Sequence, residues 1–371
     1  MESYRSLFPI TRSHTYLNHA AIAPLCESMS STIDEYQHDM QAGELSVHKW
    51  IDNCDHVRKS AAQLINALPQ HIAFVTNVST AAMMVAQGIT IRNDEHLVVP
   101  RNQFPANIYP WTNLKAKNIP VKTPVIPHDA SAYDCLDDEL NEKTKLLAIS
   151  FVEYDDGFKW DLHKVGEICR RKNILLFVDA VQGAGALLID VQKTPVDFMA
   201  VSGHKWLMGP TGQGFLYIHP NAYEELYPIS LGWLSVEIPF DFDNLHQSLR
   251  PGAAALEGGS LNLLGIAILG TALDLLHKVG LRKIETQILK LTRHLRVQLY
   301  EKNYQIVGHN DSEALSGITS FYHANIATHE LYEKLTAERI VVSLRKEAIR
   351  VSPHFYNTLN DIDDVIQILE S

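Results

Sequence analysis

Residues 174–218 read ILLFVDAVQGAGALLIDVQKTPVDFMAVSGHKWLMGPTGQGFLYI, and this stretch decides the predicted fold. It contains three apolar, β-rich runs with the length of strands, namely Ile174–Val178, Asp197–Val201 and Gly214–Ile218. Polar residues follow the first two runs: Asp179 comes directly after the first, and Lys205 comes shortly after the second. In an open α/β sheet, ligand chemistry gathers outside the carboxyl ends of the strands. We therefore expect Asp179 and Lys205 to share one pocket.

Strand-like and helix-like segments alternate along most of the chain. The run Leu146–Val152 predicts a further strand, and the periodic segment Leu162–Arg171 predicts a helix after it. This alternation predicts βαβ units and an α/β fold with a mostly parallel sheet. A chain of 371 residues exceeds what one core usually supports. We expect a large domain over residues 1–265, with its first 15–20 residues packing on a smaller α/β domain over residues 266–371.

The composition excludes several classes of protein. Apolar residues make up 46% of the chain and charged residues 20%, as in ordinary globular proteins. The net charge of −11 argues against nucleic-acid binding. The amino terminus has no apolar core of a secretory signal, and polar residues interrupt the apolar run Leu261–Leu276, so we expect no membrane span. Four scattered cysteines form no disulfide framework, and no metal-ligand spacing occurs. We expect a cytoplasmic protein without a metal.

A strand-to-helix turn offers a place for an anion. The predicted strand Ile72–Thr76 runs into Asn77, Ser79 and Thr80, and a helix-forming segment follows. Hydroxyls and free N–H groups at a helix N-terminus suit a phosphate. The same pattern is also that of an ordinary helix cap, and the turn alone does not separate the two interpretations.

Two loops after predicted strands leave similar alternatives open. Phe104 follows the strand at His96–Pro100, where its flat ring can cover a flat ligand or can pack under the loop. The segment Glu153–Lys159 follows the predicted strand Leu146–Val152. This segment is acidic, which is typical of a simple surface turn.

Pyridoxal phosphate requires a set of partners that these segments can supply. A lysine amine forms a Schiff base with its aldehyde, and a carboxylate keeps its ring nitrogen protonated. Its phosphate needs N–H and hydroxyl donors, and its ring can stack on an aromatic side chain. The carboxylate of an amino-acid substrate favours a bidentate arginine.

Four motifs in order resemble the class V branch of fold-type I pyridoxal-phosphate enzymes. They are YLNHAA near the start, FVTNVSTAAMMVA at the phosphate turn, FVDAVQGAGALLIDV with VDFMAVSGHKWLMGPTGQGFLY, and IRVSPHFYNTLNDID near the end. The resemblance covers nearly the whole chain. This branch includes cysteine desulfurases, selenocysteine lyase, kynureninase, isopenicillin N epimerase and several aminotransferases. The resemblance implies pyridoxal 5′-phosphate as the cofactor, a large cofactor domain with a smaller carboxyl-terminal domain, and a homodimer with shared active sites.

The resemblance also assigns roles to individual residues. Lys205 would be the catalytic Schiff-base lysine, Asp179 the partner of the pyridine nitrogen, and Arg350 the ligand of the substrate carboxylate. The remaining cofactor-binding residues would be Gln182 at the phenolic oxygen, Phe104 on the ring, Ser79, Thr80, Ser202 and His204 at the phosphate, and Ser260 at the phosphate of the partner subunit. Structural roles compete with each assignment: Asp179 as a helix cap, Arg350 in a surface ion pair, and Ser260 in a turn.

Two departures from the family pattern bear on the reaction. Desulfurases carry a reactive cysteine shortly before the carboxyl-terminal arginine, but Val341–Arg350 contains none, so we expect no cysteine-dependent desulfurase. Phe104 stands where desulfurases usually have a histidine, so a second proton carrier would have to be His19 or His204. Arg345 would read a second acidic group of the substrate or would be a solvated surface residue.

The sequence therefore predicts a homodimeric enzyme acting on an amino acid or related amine. Transamination is the first hypothesis because it needs only Lys205 as proton shuttle. Epimerisation, β-elimination or hydrolytic cleavage are the alternatives, and a non-enzymatic cofactor-binding regulator is an alternative of another class. A dinucleotide-binding dehydrogenase is excluded because Gly209–Gly214 lacks the required glycine spacing and runs into a strand.

Overall fold

The computed structural model describes residues 2–309 and 313–370. Its strands, in chain order, are β1 (Thr15–Tyr16), β2 (Ile72–Val75), β3 (His96–Val98), β4 (Val121–Lys122), β5 (Thr144–Ser150), β6 (Leu175–Asp179), β7 (Phe198–Ser202), β8 (Gly214–Ile218), β9 (Gln305–Ile306), β10 (Thr319–Tyr322), β11 (Ile340–Val341), β12 (Ser343–Arg345) and β13 (Ala348–Val351). Its α-helices are α1 (Glu2–Arg5), α2 (Glu27–Met40), α3 (Glu44–Leu64), α4 (Val78–Gly88), α5 (Tyr109–Thr112), α6 (Ala132–Glu139), α7 (Leu162–Arg171), α8 (Leu263–Val279), α9 (Leu281–Glu301), α10 (Thr328–Ala337) and α11 (Leu359–Glu370).

A seven-stranded sheet, the large sheet, occupies the centre of the molecule. Its strand order is β2-β8-β7-β6-β5-β3-β4. Strand β8 runs antiparallel to both neighbours, and the other pairs are parallel. The three apolar runs of residues 174–218 therefore become three adjacent strands. The predicted α/β fold with a mostly parallel sheet is confirmed.

Side chains of the central strands fill both faces of the large sheet. In β6, Leu176 and Val178 enter one apolar core, and Phe177 enters the core on the other face. All three are fully buried. Strand β7 repeats this alternation, with Met199 in the first core and Phe198 in the second. Strands covered on both faces read as continuous apolar runs, which explains why the sequence pattern was so clear.

A second, four-stranded antiparallel sheet, the small sheet, has the order β12-β13-β10-β9. Leucines of α9, α10 and α11 pack with it in a separate apolar core. The amino-terminal segment joins this layer, because Leu17 lies in the same core and β1 pairs in parallel with β11. Arg5 also forms an ion pair of 2.6 Å with Asp361. The carboxyl-terminal layer is thus held by contacts from both ends of the chain.

The two long helices α8 and α9 connect the layers. Helix α8 packs on α2 and α3, which cover the large sheet, whereas α9 packs on α11. The helices meet at an angle of 81°, and Gly280 between them has φ of +94°. The domain boundary after residue 265 stays a prediction, and the packing favours a boundary near Gly280. Within residues 2–309 and 313–370, no single helix is long and apolar enough to span a membrane. Only α8 and α9 taken together have that length and apolarity, and this pair is sharply bent.

Candidate active site

A cavity of about 440 Å³, here named the Lys205 cavity, opens at the carboxyl ends of β6 and β7. The large sheet forms one wall, and the hairpin β12–β13 of the small sheet forms the other. Its lining consists of Ala20, Ala21, Asn77, Val78, Ser79, Phe104, Ala106, Tyr154, Asp179, Val181, Gln182, Ser202, His204, Lys205, Arg345 and Arg350. Eight of the ten sequence-predicted site residues are in this set, and Thr80 and Ser260 are not.

Asp179 and Lys205 come together because their strands are neighbours. Asp179 is the last residue of β6 and pairs with Ala200 of β7, and Lys205 follows the end of β7. Burial, together with the charges of Arg350 and Arg345, lowers the pKa of Lys205 to about 8, although Asp179 opposes the shift. Burial raises the pKa of Asp179 to about 6, against the N–H bond from Val181 and the charge of Lys205. The cavity therefore holds an amine that deprotonates easily beside a carboxylate that is ionised at neutral pH.

The amino terminus of α4 forms the end of the Lys205 cavity that suits an anion. Asn77 caps this helix by accepting a bond from the Thr80 N–H. The Val78 N–H donates to the Ser202 hydroxyl over 3.2 Å, and Ser79 lines the cavity beside them. N–H groups and hydroxyls at a helix N-terminus favour a phosphate. Thr80 lies outside this lining, in an adjoining open cleft with Ser79 and Phe104, and its hydroxyl bonds to that of Thr76.

An aromatic pair faces the amine of Lys205. The Nζ atom of Lys205 stands 5.3 Å from the ring centroid of Phe104, and the ring of Tyr154 meets that of Phe104 edge-on at 5.2 Å. Tyr154 was missed in the sequence because the acidic segment Glu153–Lys159 was predicted to be a surface turn. That prediction is wrong: Glu153 is 1% exposed and accepts a bond of 2.6 Å from Gln103, the residue before Phe104.

Arg350 carries unused hydrogen-bond donors in a buried position. It is 1% exposed, and its Nη1 donates to the carbonyl oxygen of Tyr154 over 2.7 Å. Its Nε and Nη2 atoms have no partner among the residues that the structure describes. Burial, together with the charge of Arg345, lowers the pKa of Arg350 to about 10. A buried fork with free N–H groups matches the geometry of a carboxylate ligand, and the alternative of a surface ion pair does not fit this burial.

The remaining predicted residues take more varied positions. Gln182 lies at the base of the cavity, where its Oε1 accepts from Trp206 and its Nε2 donates to the carbonyl of Ala20. Burial and Lys205 lower the pKa of His204, which also lines the cavity. His19 does not line it: this fully buried ring bonds to the Ser352 carbonyl and the Tyr356 hydroxyl. Ser260 is exposed in the loop before α8, so its predicted contact with a partner subunit stays a prediction.

Comparisons with known proteins agree on one family. The family Aminotransferase class-V matches residues 15–365. A probable cysteine desulfurase of Methanothermobacter thermautotrophicus is 28% identical over 100% of this chain and 97% of its own length. The protein YcbU of Bacillus subtilis, an uncharacterized aminotransferase, is 28% identical over 98% of this chain and 96% of its own. The apo structure of a cysteine desulfurase from Thermococcus onnurineus NA1 has a TM-score of 0.88 and 25% identity, covering 100% of this chain and 97% of that chain.

These relatives correct one prediction. The exclusion of a cysteine-dependent desulfurase is wrong, because proteins that match the whole chain are named cysteine desulfurases. The exclusion relied on the absence of cysteine from Val341–Arg350, most of which forms the hairpin β12–β13. The position of a sulfur acceptor is a separate matter from the chemistry at the substrate's Cα, so one cysteine-free segment does not decide the reaction class.

The donor set in the Lys205 cavity fits pyridoxal phosphate. Lys205 supplies a buried amine with a lowered pKa, and Asp179 supplies a buried carboxylate. The α4 terminus with Ser202 suits the phosphate, and Arg350 retains two unpartnered buried N–H positions within the described residues. Family, fold and donor set agree. The chain belongs to the class V aminotransferase family and is a fold-type I enzyme that uses pyridoxal 5′-phosphate.

Proposed function

We propose that this enzyme transforms an amino acid at its α-carbon, that Arg350 holds the α-carboxylate, and that transamination is the reaction. The observation that carries the proposal is the juxtaposition of Lys205 and Arg350 in one cavity of about 440 Å³. Lys205 is the only lysine among the described residues that line it, and its pKa of about 8 suits both uptake and release of a proton near neutral pH.

Each of the main residues of the cavity has a separate role in this reaction. Pyridoxal phosphate, when bound, supplies an aldehyde for an amine and a ring that takes up electrons from the α-carbon. Asp179 supports a protonated ring nitrogen, because an opposite charge in a buried site favours the charged form. Arg350 orients the substrate through its free Nε and Nη2, and the Tyr154 carbonyl fixes the guanidinium plane. Lys205 would take the proton from the α-carbon and would return it to the carbon that carried the aldehyde of the cofactor.

The residues near Phe104 argue against epimerisation. Inversion at the α-carbon by two bases needs a proton carrier on each face of the substrate. Phe104 faces Lys205 across 5.3 Å, and a phenyl ring cannot carry a proton. His19, one of the two histidines considered from the sequence, lies outside the cavity with both ring nitrogens bonded. His204, the other histidine, does line the cavity. Transamination is favoured because it needs only Lys205 as proton carrier.

Cleavage of a carbon–sulfur bond is a second candidate function. Its support is the relationship to proteins named cysteine desulfurases, which covers the whole chain. The same first step serves this reaction, because loss of the α-proton at Lys205 also labilises a leaving group on the next carbon. The candidate differs from transamination in what leaves the substrate, so product analysis separates the two.

A half-reaction screen tests the proposal. The purified holoenzyme is mixed with single L-amino acids, and the cofactor absorbance and the released products are followed. Transamination predicts conversion of the aldehyde form to the amine form of the cofactor with release of one equivalent of 2-oxo acid. Release of sulfide, ammonia and pyruvate from L-cysteine, with the cofactor returned to its aldehyde form, would instead support carbon–sulfur cleavage. No change with any amino acid would contradict both reactions and favour a binding role.

We further propose a cytoplasmic homodimer whose sites are shared. Support comes from an exposed apolar segment, residues 227–249, which includes Trp233, Phe240 and Phe242, each at least 40% exposed. Exposed apolar patches of this kind mark association surfaces. The backbone of Gly232 packs closely on Gly258, near Ser260. Light scattering after size exclusion tests the dimer, and Ser260→Ala in that dimer should weaken cofactor retention.

A further inference from the structure

The hairpin β12–β13 presents two arginines to the Lys205 cavity. Ser343 of β12 pairs with Arg350 of β13, and Arg345 pairs with Ala348. Alternate residues of a strand share a face, so Arg345 lies on the same face as Ser343 and therefore on the face of Arg350. Both arginines line the cavity. The proposed binding of one α-carboxylate uses Arg350 and leaves Arg345 without a function.

Arg345 has no acidic partner in the part of the chain that the structure describes. Asp155, an acid beside the hairpin, forms its ion pair with Lys346 instead. The charge of Arg345 reaches the reacting groups, because it lowers the pKa of both Lys205 and Arg350. The cavity thus has three cationic side chains, Lys205, Arg345 and Arg350, and one carboxylate, Asp179, which favours the binding of an anion.

The position of Arg345 indicates which anion this is. The phosphate donors Ser79 and Ser202 belong to the wall of the cavity formed by α4 and the large sheet. Arg345 belongs to the opposite wall, formed by the small sheet, together with the proposed carboxylate ligand Arg350. An anion at Arg345 is therefore part of the substrate. Because the α-carboxylate occupies Arg350, the anion at Arg345 belongs to the side chain.

We propose that Arg345 is a specificity-determining residue that binds a second carboxylate, so that the site takes dicarboxylic amino acids. This inference rests on the proposed amino-acid chemistry at Lys205 and Arg350. It names a substrate class for that site and predicts discrimination against the corresponding amides, which have nearly the same shape but no charge. A charge-assisted bond to an exposed arginine corresponds to about three- to fivefold in affinity.

The experiment compares the wild-type holoenzyme with Arg345→Met, which keeps the side-chain length and removes the charge. Arg293→Met is the matched control, because Arg293 is exposed on α9 and does not line the cavity. The rate of the half-reaction, expressed as kcat/KM, is measured for L-aspartate against L-asparagine and for L-glutamate against L-glutamine. Binding of glutarate, an unreactive dicarboxylate, is measured by calorimetry against butyrate.

We expect the wild type and Arg293→Met to prefer the acid of at least one pair by about threefold or more. Arg345→Met should lose this preference through a lower kcat/KM for the acid alone, and its glutarate affinity should fall about three- to fivefold while butyrate binding stays the same. An unchanged acid-to-amide ratio in Arg345→Met would overturn the inference while leaving the proposed function intact. If no amino acid reacts, the proposed function fails. In that case the glutarate measurement still tests the inference, and equal glutarate affinity in wild type and Arg345→Met would overturn it.

Discussion

Glu153 is a buried carboxylate whose ionisation is predicted to weaken the protein. Its Oε1 accepts bonds from Gln103 Nε2 at 2.6 Å and from Trp160 Nε1 at 2.9 Å, and its Oε2 has no partner within the described residues. Burial raises the pKa of Glu153 from 4.5 to about 7, although His128 opposes the shift. Glu153 links the loop that carries Phe104 to the loop that carries Tyr154. Its ionisation state therefore affects the aromatic side of the cavity. We predict that Glu153→Gln stabilises the protein at alkaline pH.

The size and sign of this effect follow from proton linkage. A carboxyl whose folded pKa exceeds its unfolded pKa contributes stability that is present below pH 4.5 and is lost as the pH rises through about 7. At about 1.4 kcal/mol per pH unit, the loss amounts to about 3 kcal/mol, of which about 2 kcal/mol falls between about pH 5 and pH 8. Glutamine keeps the accepting Oε1 and cannot ionise, so the variant avoids this loss.

Urea unfolding at pH 5 and pH 8 measures the effect as a difference between wild type and variant, which cancels the titration of other groups. The free energy of unfolding of Glu153→Gln, relative to wild type, should rise by about 2 kcal/mol between the two pH values. Glu153→Ala is the control, because it orphans Gln103 and Trp160 and should destabilise at both pH values by about 2–5 kcal/mol. A constant difference between Glu153→Gln and wild type would refute the reasoning.

Three further predictions concern the Lys205 cavity. Asp179→Asn should slow the half-reaction by about 10- to 1,000-fold, because the amide cannot support a charged ring nitrogen. The wild-type rate should fall below pH 6, and the variant should lose this fall. Stopped-flow absorbance measures both effects. Arg350→Lys keeps the charge but loses the fork, so KM for the amino acid should rise about 10- to 100-fold with a smaller change in kcat, and an unchanged KM would contradict the assignment. Reconstitution of apoenzyme with pyridoxal phosphate should accelerate with pH and level off above about 8, as the pKa of Lys205 requires, and a rise continuing past pH 10 would contradict it.

The centre of the site was predictable because its signal is local. Strands β6 and β7 are covered on both faces, so they read as apolar runs, and the residues that follow them necessarily meet at the edge of the sheet. Asp179 and Lys205 could therefore be paired from the sequence. The turn at Asn77 was recognised for the same reason, since it sits at the end of a short, well-marked strand, whereas Arg350 was assigned from the family motif near the carboxyl end.

The buried acidic loop could not be predicted because its partners are distant in the sequence. Glu153 reads as a surface residue, yet Gln103 and Trp160 bond to it, and Asp156 bonds to His128 at 2.6 Å. These tertiary bonds offset the cost of burying the carboxyls. They produce no periodic pattern in the sequence from which they could be predicted. The same reason hid Tyr154, whose carbonyl is the partner of Arg350.

His19 shows the opposite error. The sequence offered it, with His204, as a second proton carrier because Phe104 stands where desulfurases usually have a histidine. In the structure its ring is fully buried between the amino-terminal segment and the carboxyl-terminal layer, bonded to Ser352 and Tyr356. Burial lowers the pKa of His19 well below its usual range, and the charge of His354 lowers it further. Its role is to join these segments in the neutral form.

Covalent labelling of Lys205 tests the central claim most directly. The purified holoenzyme is reduced with borohydride, digested and analysed by mass spectrometry, with Lys145 as an internal comparison because it is paired with Glu225 away from the cavity. We predict that the reduced pyridoxal phosphate group is found on Lys205 and that Lys205→Ala loses both the label and the absorbance of the lysine-bound cofactor. A label on another lysine, or a retained absorbance in Lys205→Ala, would contradict the account.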